Sequence, residues 1–301
     1  MNEVICFDIG GTNVKYGLIG ADKKIKERGS FETNLTSGES VLNHICQIIK
    51  DACLKFNVIG ISVSCPGFIN PTTGLIEAGN IISGFNGLNL KEYLSNQFHL
   101  PVVIENDANC ATIAEHCLGN GVGCKNLVCV TLGTGVGGGM IINNQIYHGS
   151  HFMAGEFGFM LVNGIHHHTI EDDIFSQYAS TRSLVEKTSA ALGYEIDGIK
   201  LFELAESGDI ICQEMIHQFY DDLAKGIYNI CYLLNPEKVL IGGAISMQEG
   251  LIDQLKKRLS QFKLSFSRDL TAYIEFDTCR FLNESGLLGS YCNFINQYKG
   301  E

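Results

Sequence analysis

The chain has 301 residues, of which 45% are hydrophobic and 18% charged, and its formal net charge is −12. A chain this acidic is not expected to have the broad basic face that nucleic-acid binding requires. No apolar run is long enough to predict a membrane-spanning segment, and no membrane partner is expected. Its twelve cysteines are scattered singly without a C-x-x-C pair, and the N-terminus enters an apolar run at once, so we expect free thiols and a cytoplasmic location.

The first part of the chain predicts elements in the order βββαβαβα, with the first three strands antiparallel. Its long helix follows from the spacing of Val41, Ile45, Ile48 and Ile49 on one face. The strands are expected at about 3–9, 14–20, 24–31, 58–63 and 102–105, and the helices at 39–52, 90–97 and 107–117.

A second cycle of elements begins at residue 127. The predicted strands are 127–132, 140–142, 145–147, 238–241 and 272–276, with Asn143-Asn144 as a hairpin turn. The predicted helices are about 170–192, 198–206, 209–234, 247–262 and 286–297.

A unit of strand, glycine turn and strand therefore occurs twice, at residues 4–20 and 127–142. This repetition predicts an internally duplicated α/β fold, with a ligand site in the cleft between its halves. We assign residues 1–118 to an N-terminal α/β lobe and 119–285 to a C-terminal lobe. The last helix, about 286–301, is expected to pack back on the first lobe.

The first glycine turn has residue types that suit a phosphate. Val4–Ile9 predicts a buried strand, and Gly10 and Gly11 allow backbone N–H groups to approach a phosphate, with the Thr12 hydroxyl as a further donor. Asp8 stands where a hydrated divalent cation could be held. Alone, the stretch is equally typical of a hairpin turn.

The second glycine turn, Gly133 to Gly138, formally matches G-x-G-x-x-G. A dinucleotide-binding turn must lead into a helix, whereas Met140–Ile146 predicts a hairpin. We therefore disfavour a nicotinamide dehydrogenase and predict a second phosphate-binding turn.

Together these segments resemble the ROK family (repressor, open reading frame, kinase) within the actin-like ATPase superfamily. The resemblance implies a duplicated, ribonuclease-H-like α/β fold of two lobes with a central cleft. Colinear blocks over nearly the whole chain carry it: Asp8–Thr12, Glu105–Asn109, Leu132–Gly138, Ala154–Gly158 and, more weakly, Ile241–Ala244.

The resemblance implies an ATP-dependent sugar kinase. The two turns would hold the β- and γ-phosphates, the Gly242-Gly243 pair would lie near the adenosine, and Asp8 would position Mg²⁺ through water. Lys15 could add charge at the phosphates or be a plain exposed strand lysine. The implied ATP-binding residues are Asp8, Gly10, Gly11, Thr12, Lys15, Gly133, Thr134, Gly135, Gly137, Gly242 and Gly243.

Asp107 is similar to the family's catalytic base, which must lie within hydrogen-bond reach of the attacking hydroxyl. The alternative is that Asn106 or Asp107 only caps the helix that follows, although capping and catalysis are compatible. The sugar-binding residues implied by the resemblance are Gly67, Asn80, Asn106, Asp107 and Glu156. Glu156 could otherwise be a surface loop carboxylate.

The chain departs from the family in two places. Many members carry a zinc module after the glutamate block, but here Phe159 stands at the histidine position and no cysteine lies between it and Tyr178. We therefore expect no zinc site, and three adjacent histidines, His166–His168, are a poor replacement. Ser176 stands where the family usually has a sugar-binding glutamate.

These departures resemble bacterial β-glucoside kinases, which phosphorylate the 6-hydroxyl of the non-reducing glucose in disaccharides such as cellobiose. Phe159 would offer an aromatic wall to a second sugar. Glucokinase and N-acetylmannosamine kinase stay open as alternatives. A sugar-sensing repressor is disfavoured, since only seven residues precede Asp8 and a DNA-binding domain would stand there. A catalytically dead sugar-binding protein is disfavoured by the intact Asp107 and glycine turns. The family is often dimeric, so a homodimer is expected.

Overall fold

The computed structural model describes residues 2–166, 169–262 and 269–298. Their contacts divide the chain into two compact units. The first comprises the chain up to Val122, the segment His148–Ala154, and the chain from Asn283 onward. The second comprises Gly123–Tyr147 and Gly155–Leu282.

Strands and helices follow one another in the predicted order, with one short extra hairpin. The strands are β1 (Asn2–Ile9), β2 (Asn13–Gly20), β3 (Ile25–Glu32), β4 (Asn57–Cys65), β5 (Phe68–Ile69), β6 (Ile76–Ala78), β7 (Val102–Asn106), β8 (Leu127–Leu132), β9 (Val136–Ile142), β10 (Gln145–Ile146), β11 (Lys238–Gly242) and β12 (Glu275–Thr278). The α-helices are α1 (Gly38–Lys55), α2 (Leu90–Phe98), α3 (Asp107–Leu118), α4 (Phe175–Ala179), α5 (Thr181–Leu192), α6 (Gly198–Glu206), α7 (Ile210–Leu234), α8 (Leu251–Leu259) and α9 (Ser285–Tyr298).

The sheet of the first unit has the strand order β3-β2-β1-β4-β7. β1, β2 and β3 pair antiparallel, as predicted, and β1, β4 and β7 pair in parallel. In this register Asp8 lies opposite Ser64, and Ser64 lies opposite Glu105. The carboxyl ends of three parallel strands therefore bring polar side chains to one edge of the sheet.

Helices cover both faces of this sheet. Phe7 and Ile9 of β1 share a buried cluster with Ile45 and Ile49 of α1, which confirms the predicted apolar face. On the other face α9 packs so closely on β4 that a side chain at Gly60 would overlap the ring of Phe294. Gly60 is thus required by packing.

The sheet of the second unit repeats the topology of the first. Its strand order is β10-β9-β8-β11-β12. As in the first sheet, three strands (β10, β9 and β8) pair antiparallel, and two more (β11 and β12) continue the sheet parallel to β8. Asn143 and Asn144 form the hairpin turn with φ of 53° and 65°, the conformation of a type I′ turn. The predicted duplication of the α/β fold is confirmed.

The prediction of one long helix over 170–192 is wrong. The structure has a single 3₁₀ turn at Ile170–Asp172 followed by α4 and α5. The two helices are separated at Ser180, whose backbone is extended (φ −81°, ψ 150°) and whose hydroxyl accepts the Ser183 N–H at 3.1 Å. Serine competes for backbone N–H groups in this way, and it caps a new helix instead of continuing the old one.

The second glycine turn is shorter than predicted. β9 begins at Val136, so Gly137, Gly138 and Gly139 lie within the strand. A side chain at Gly138 would overlap the ring of Phe157. Gly138 therefore allows the ring of Phe157 to pack closely on the strand.

Smaller differences concern element ends. α8 begins only at Leu251, because Gly250 before it has φ of 79°. The last strand lies at Glu275–Thr278, after a 3₁₀ turn at Leu270–Ala272. The hairpin of β5 and β6 was not predicted. Every cysteine is a free thiol, and none of the helices within the described ranges is long and apolar enough to cross a bilayer.

Gly289→Ala is expected to destabilise the first unit. A side chain at Gly289 of α9 would overlap the Cys110 carbonyl of α3, and overpacking of this kind costs about 1–3 kcal/mol. We expect a lower urea midpoint by far-UV circular dichroism. Gly198→Ala in α6 is the control, since its nearest neighbour would be Val185 at 3.9 Å. Equal midpoints for the two variants would contradict the packing described here.

Candidate active site

Hydrogen bonds from within the turn and from Thr33 hold the turn that follows β1. The Gly10 N–H donates to the Asn13 carbonyl at 3.0 Å. Thr33, at the end of β3, donates its hydroxyl to the Gly10 carbonyl at 2.7 Å and its N–H to the Thr12 carbonyl at 2.9 Å. Gly11 and Thr12 are exposed at the tip. The turn is thus a rigid loop that presents its tip to solvent.

The turn after β8 is built in a similar way. The Gly133 N–H donates to the Gly135 carbonyl at 2.9 Å, and the Val136 N–H donates to Ser176 Oγ at 3.0 Å. Thr134 is exposed at the tip. Each unit therefore carries one exposed threonine on a restrained glycine turn.

The N-terminus of α5 supports the same turn. Thr181 donates its hydroxyl to the Leu132 carbonyl at 3.2 Å, and the Arg182 N–H donates to the Gly133 carbonyl at 3.1 Å. Neither contact was predicted, because the two segments are distant in sequence.

Ser176 makes a backbone contact that was not predicted. Its hydroxyl is bonded to the Val136 backbone, and a side chain at Gly158 would overlap both Ser176 Oγ and the Val136 carbonyl. Ser176 therefore supports the glycine turn through a contact that no local sequence signal indicates.

The Gly242-Gly243 pair adjoins the second turn. Gly243 has φ of 93°, and a side chain there would overlap the Leu132 carbonyl. The structure thus brings Gly242, Gly243 and Gly133 together at the ends of two neighbouring parallel strands. Contact of this pair with adenosine stays a prediction.

Asp8 lies at the sheet edge, with its side chain 19% exposed. Ser64 donates its hydroxyl to Asp8 Oδ1 at 2.8 Å, and Lys15 Nζ lies 4.0 Å from Asp8 Oδ2. Burial raises the pKa of Asp8, against the opposing effects of Ser64 and Lys15. Lys15 also donates to the Asn283 carbonyl at 3.2 Å, so it is a positioned cation rather than a free surface lysine.

Asp107 is the first residue of α3 and is exposed. Surrounding protein atoms raise the pKa of its carboxyl by desolvation; the Ala108 N–H lowers it and the negative charge of Asp8 raises it further. Since water reaches the exposed side chain, screening limits the size of this shift. The negative charge of Asp8 thus acts on Asp107, and added positive charge near these two carboxylates would be favourable.

The capping role falls mainly to Asn106. Its Oδ1 accepts the N–H groups of Ala108 and Asn109 at 2.9 and 3.1 Å, although Ala108 also donates to Asp107 Oδ1 at 2.9 Å. Asp107 Oδ2 takes no part in these cap hydrogen bonds.

Three of the predicted sugar residues are linked to one another. Asn106 donates from Nδ2 to the Gly67 carbonyl at 3.0 Å, and Gly67 has φ of 104°. Asn80 is buried and donates from Nδ2 to the Pro66 carbonyl at 2.7 Å. The structure brings these residues together beside Asp107, and it uses Asn80 to hold the Gly67 loop.

Glu156 lies in the second unit and is half-buried. Gly155 before it has φ of 92° and packs on the Gly138 carbonyl of β9, where a side chain would come within 2.8 Å. Gly158 after it packs on Val136. The Glu156 backbone is therefore held against the strand that follows the second turn, unlike that of a mobile surface loop.

Hydrogen bonds hold the segment that stands in place of a zinc module. Asp173 is fully buried and accepts the His166 N–H at 2.8 Å and the Tyr178 hydroxyl at 3.1 Å. Phe159 at the start of the segment is 60% exposed.

A second polar group fixes the segment to α7. Asn163 donates from Nδ2 to Asp222 Oδ1 at 3.0 Å and accepts from Lys225 Nζ at 2.8 Å. Asp222 is buried and also accepts from Lys225 and Gln218. In residues 2–166, 169–262 and 269–298, no group of three or more His, Cys, Asp or Glu side chains could hold a metal. His167 and His168 lie outside these ranges, and the expected absence of zinc stays a prediction.

Known proteins match this chain over nearly its full length. The sequence profile of the ROK family matches residues 4–296. A beta-glucoside kinase of Listeria monocytogenes is 35% identical over 300 residues, which cover 98% of each chain.

Two solved structures are similar throughout. One is a Listeria monocytogenes protein thought to be an N-acetylmannosamine kinase (33% identity, TM-score 0.89, 98% of this chain and 99% of that chain). The other is a ROK family glucokinase of Streptomyces griseus in complex with glucose and AMPPNP (25% identity, TM-score 0.79, 98% and 99%).

Asp222→Ala is expected to release the segment from α7. The change removes the carboxylate that accepts from Asn163, Gln218 and Lys225, and a hydrogen bond to a charged group contributes about 1.5–3 kcal/mol. Limited proteolysis with mass spectrometry should show faster cleavage within 159–174, and the apparent melting temperature should fall. Glu214→Ala, an exposed position on the same helix, is the control. Unchanged cleavage would show that the segment is held by other contacts.

Proposed function

Since the chain belongs to the ROK family, we propose that it is an ATP-dependent kinase for the 6-hydroxyl of the non-reducing glucose in a β-glucoside such as cellobiose. The observation that carries the kinase assignment is the pairing, at one sheet edge, of the Asp8 glycine turn with Asp107. The acceptor class is supported by 35% identity over the full chain to a beta-glucoside kinase.

The two glycine turns are proposed to bind the ATP phosphates. Backbone N–H groups and the hydroxyls of Thr12 and Thr134 are donors of the kind that phosphates need. Lys15 adds a positive charge beside the first turn. Gly242 and Gly243, next to the second turn, are proposed to lie against the adenosine. A similar glucokinase was solved with AMPPNP, which supports ATP as the donor.

The residues also fit a magnesium ion. The charge of Asp8 raises the pKa of Asp107, and since Asp8 Oδ1 accepts from Ser64, Oδ2 is the oxygen proposed to hold a hydrated ion. A bound Mg²⁺ would neutralise charge on the transferred phosphate.

Asp107 is proposed to act as the general base. Its carboxylate accepts the proton of the sugar hydroxyl as that oxygen forms a bond to the γ-phosphorus, while the bond from phosphorus to the β-γ bridging oxygen breaks and ADP leaves. Asn106, Gly67, Asn80 and Glu156 are proposed to position the sugar. Such positioning, with charge neutralisation, supplies most of the catalysis in phosphoryl transfer.

Phe159 is proposed to stack on the second sugar. Its ring is 60% exposed at the position where many family members have a zinc-binding histidine. Glucokinase and N-acetylmannosamine kinase are the second candidates, because similar structures carry those descriptions. We further propose a cytoplasmic homodimer without bound zinc.

Asp107→Asn is expected to lower kcat at least about 100-fold, since it removes a positioned base. Purified protein with ATP, Mg²⁺ and a β-glucoside should release ADP in a coupled assay. Asp51→Asn on the exposed face of α1 is the matched control. A fully active Asp107→Asn variant would show that another group is the base.

The fall of kcat/KM at acid pH also tests whether Asp107 is the base. The base must be ionised, so activity falls as pH drops through its pKa. Because the pKa of Asp107 is raised, the midpoint should lie above the ordinary aspartate value of about 3.9.

A sugar panel is expected to favour β-glucosides. The kcat/KM for cellobiose or gentiobiose should exceed that for glucose and N-acetylmannosamine at least about tenfold, which corresponds to about 1.4 kcal/mol. Phe159→Ala should lower the β-glucoside value about 2- to 10-fold, as expected for a lost stacking contact, and leave the glucose value unchanged. Tyr194→Ala, another exposed aromatic residue, is the control. Faster turnover of a monosaccharide would contradict the proposed acceptor.

A further inference from the structure

We propose that His148 is a positioning residue for the Asp107 base, and that it acts through the buried carboxylate of Glu105. The inference rests on the proposed kinase function and extends it to a residue that the motifs did not include. Three observations carry it: the contacts of Glu105, the position of Asp107 between two of its partners, and the segment that supplies His148.

Glu105 is the penultimate residue of β7 and is 1% exposed. Its Oε1 accepts the Asn106 N–H at 2.9 Å and Asn109 Nδ2 at 3.0 Å. Its Oε2 accepts from His148 Nε2 at 2.8 Å. Both oxygens of a buried carboxylate are thus engaged beneath the start of α3.

The partners of Glu105 flank Asp107 on both sides. Asn106 precedes it and Asn109 follows it within the first turn of α3, so the carboxylate fixes the backbone on which the base stands. Asn106 also caps α3 and donates to the Gly67 carbonyl. A shift of Glu105 would therefore move both the base and the Gly67 loop.

His148 reaches Glu105 from another part of the chain. It follows β10 in sequence, yet the segment His148–Ala154 packs within the first unit. The Ala154 N–H donates to the His148 carbonyl at 3.2 Å, and Gly149 and Phe152 have φ of 71° and 58°. This compact loop holds the imidazole, which is 21% exposed, against Glu105, and then leads into Gly155 and Glu156.

Charge explains why a histidine suits this position. A buried carboxylate without a compensating partner is strongly unfavourable, and among the described residues His148 is the cation paired with Glu105. Burial alone would lower the pKa of His148, but the hydrogen bond and charge of Glu105 outweigh burial and raise it. The 2.8 Å contact with His148 Nε2 holds Glu105 Oε2, and so orients the carboxylate whose Oε1 accepts both asparagine donors.

The test compares three variants with a control. His148→Phe removes the donor, His148→Gln keeps an N–H donor of similar reach, and Glu105→Gln removes the charge while it keeps an acceptor for Asn106. His217→Phe, an exposed histidine on α7, is the control. For each we would measure kcat and the KM for ATP with the best sugar of the panel, melting temperature, and hydrogen exchange of the amides in 105–112.

We expect His148→Phe and Glu105→Gln to lower kcat at least about tenfold, the order of loss for a displaced catalytic group, with the KM for ATP within about twofold of wild type. His148→Gln should recover most of the kcat. His148→Phe combined with Glu105→Gln should be no worse than either alone, because coupled residues are not additive. Exchange in 105–112 should increase in His148→Phe and remain unchanged in His217→Phe.

A His148→Phe variant with a lower melting temperature but wild-type kcat would overturn the proposal, since its role would then be stability alone. So would unchanged exchange in 105–112. The exchange measurement needs no turnover, so it tests His148 even if no sugar on the panel is phosphorylated, which would instead contradict the kinase function.

Discussion

The parallel pairing of β1, β4 and β7 is the constraint on which the chemistry of the first unit depends. Parallel strands end at the same sheet edge, so one register places Asp8, Ser64 and Glu105 side by side. Ligands of open α/β sheets bind at this edge. The helices serve the same arrangement: α3 begins where β7 ends, so the proposed base Asp107 stands at a helix N-terminus, where the Ala108 N–H partly opposes the effect of desolvation on its pKa.

The second unit uses the same topology for a different purpose. The ends of β8 and β11 bring Gly133 and Gly243 together, but no counterpart of Asp107 follows them in a motif. The repeated sheet thus provides a second glycine turn, while the proposed base, Asp107, lies in the first unit. One repeated topology carries both turns proposed to bind phosphate, and the loops of the first unit add the proposed sugar-binding residues Gly67, Asn80 and Asn106.

The parts of the fold and site that depend on neighbouring residues in the sequence could be predicted. The strands of both five-stranded sheets, most helices and both glycine turns were predicted, because apolar periodicity and glycine content are local signals. The supports of the turns were missed: Thr33, Thr181 and Ser176 contact backbone far away in sequence. His148 was missed for the same reason, since 43 residues separate it from Glu105. The prediction of one helix over 170–192 was wrong because the helical spacing of apolar residues continues through Ser180. At that residue the hydroxyl accepts a backbone N–H and caps a new helix.

The break at Ser180 has an evolutionary consequence. The segment that replaces the zinc module ends at α4, and Ser176 of α4 holds the second glycine turn. If Phe159 contacts the acceptor and the second glycine turn binds the nucleotide, as proposed, substitutions at Phe159 would alter the choice of sugar, whereas substitutions at Ser176 would disturb nucleotide binding. One short segment would then join a position that can vary with the substrate to a position that cannot.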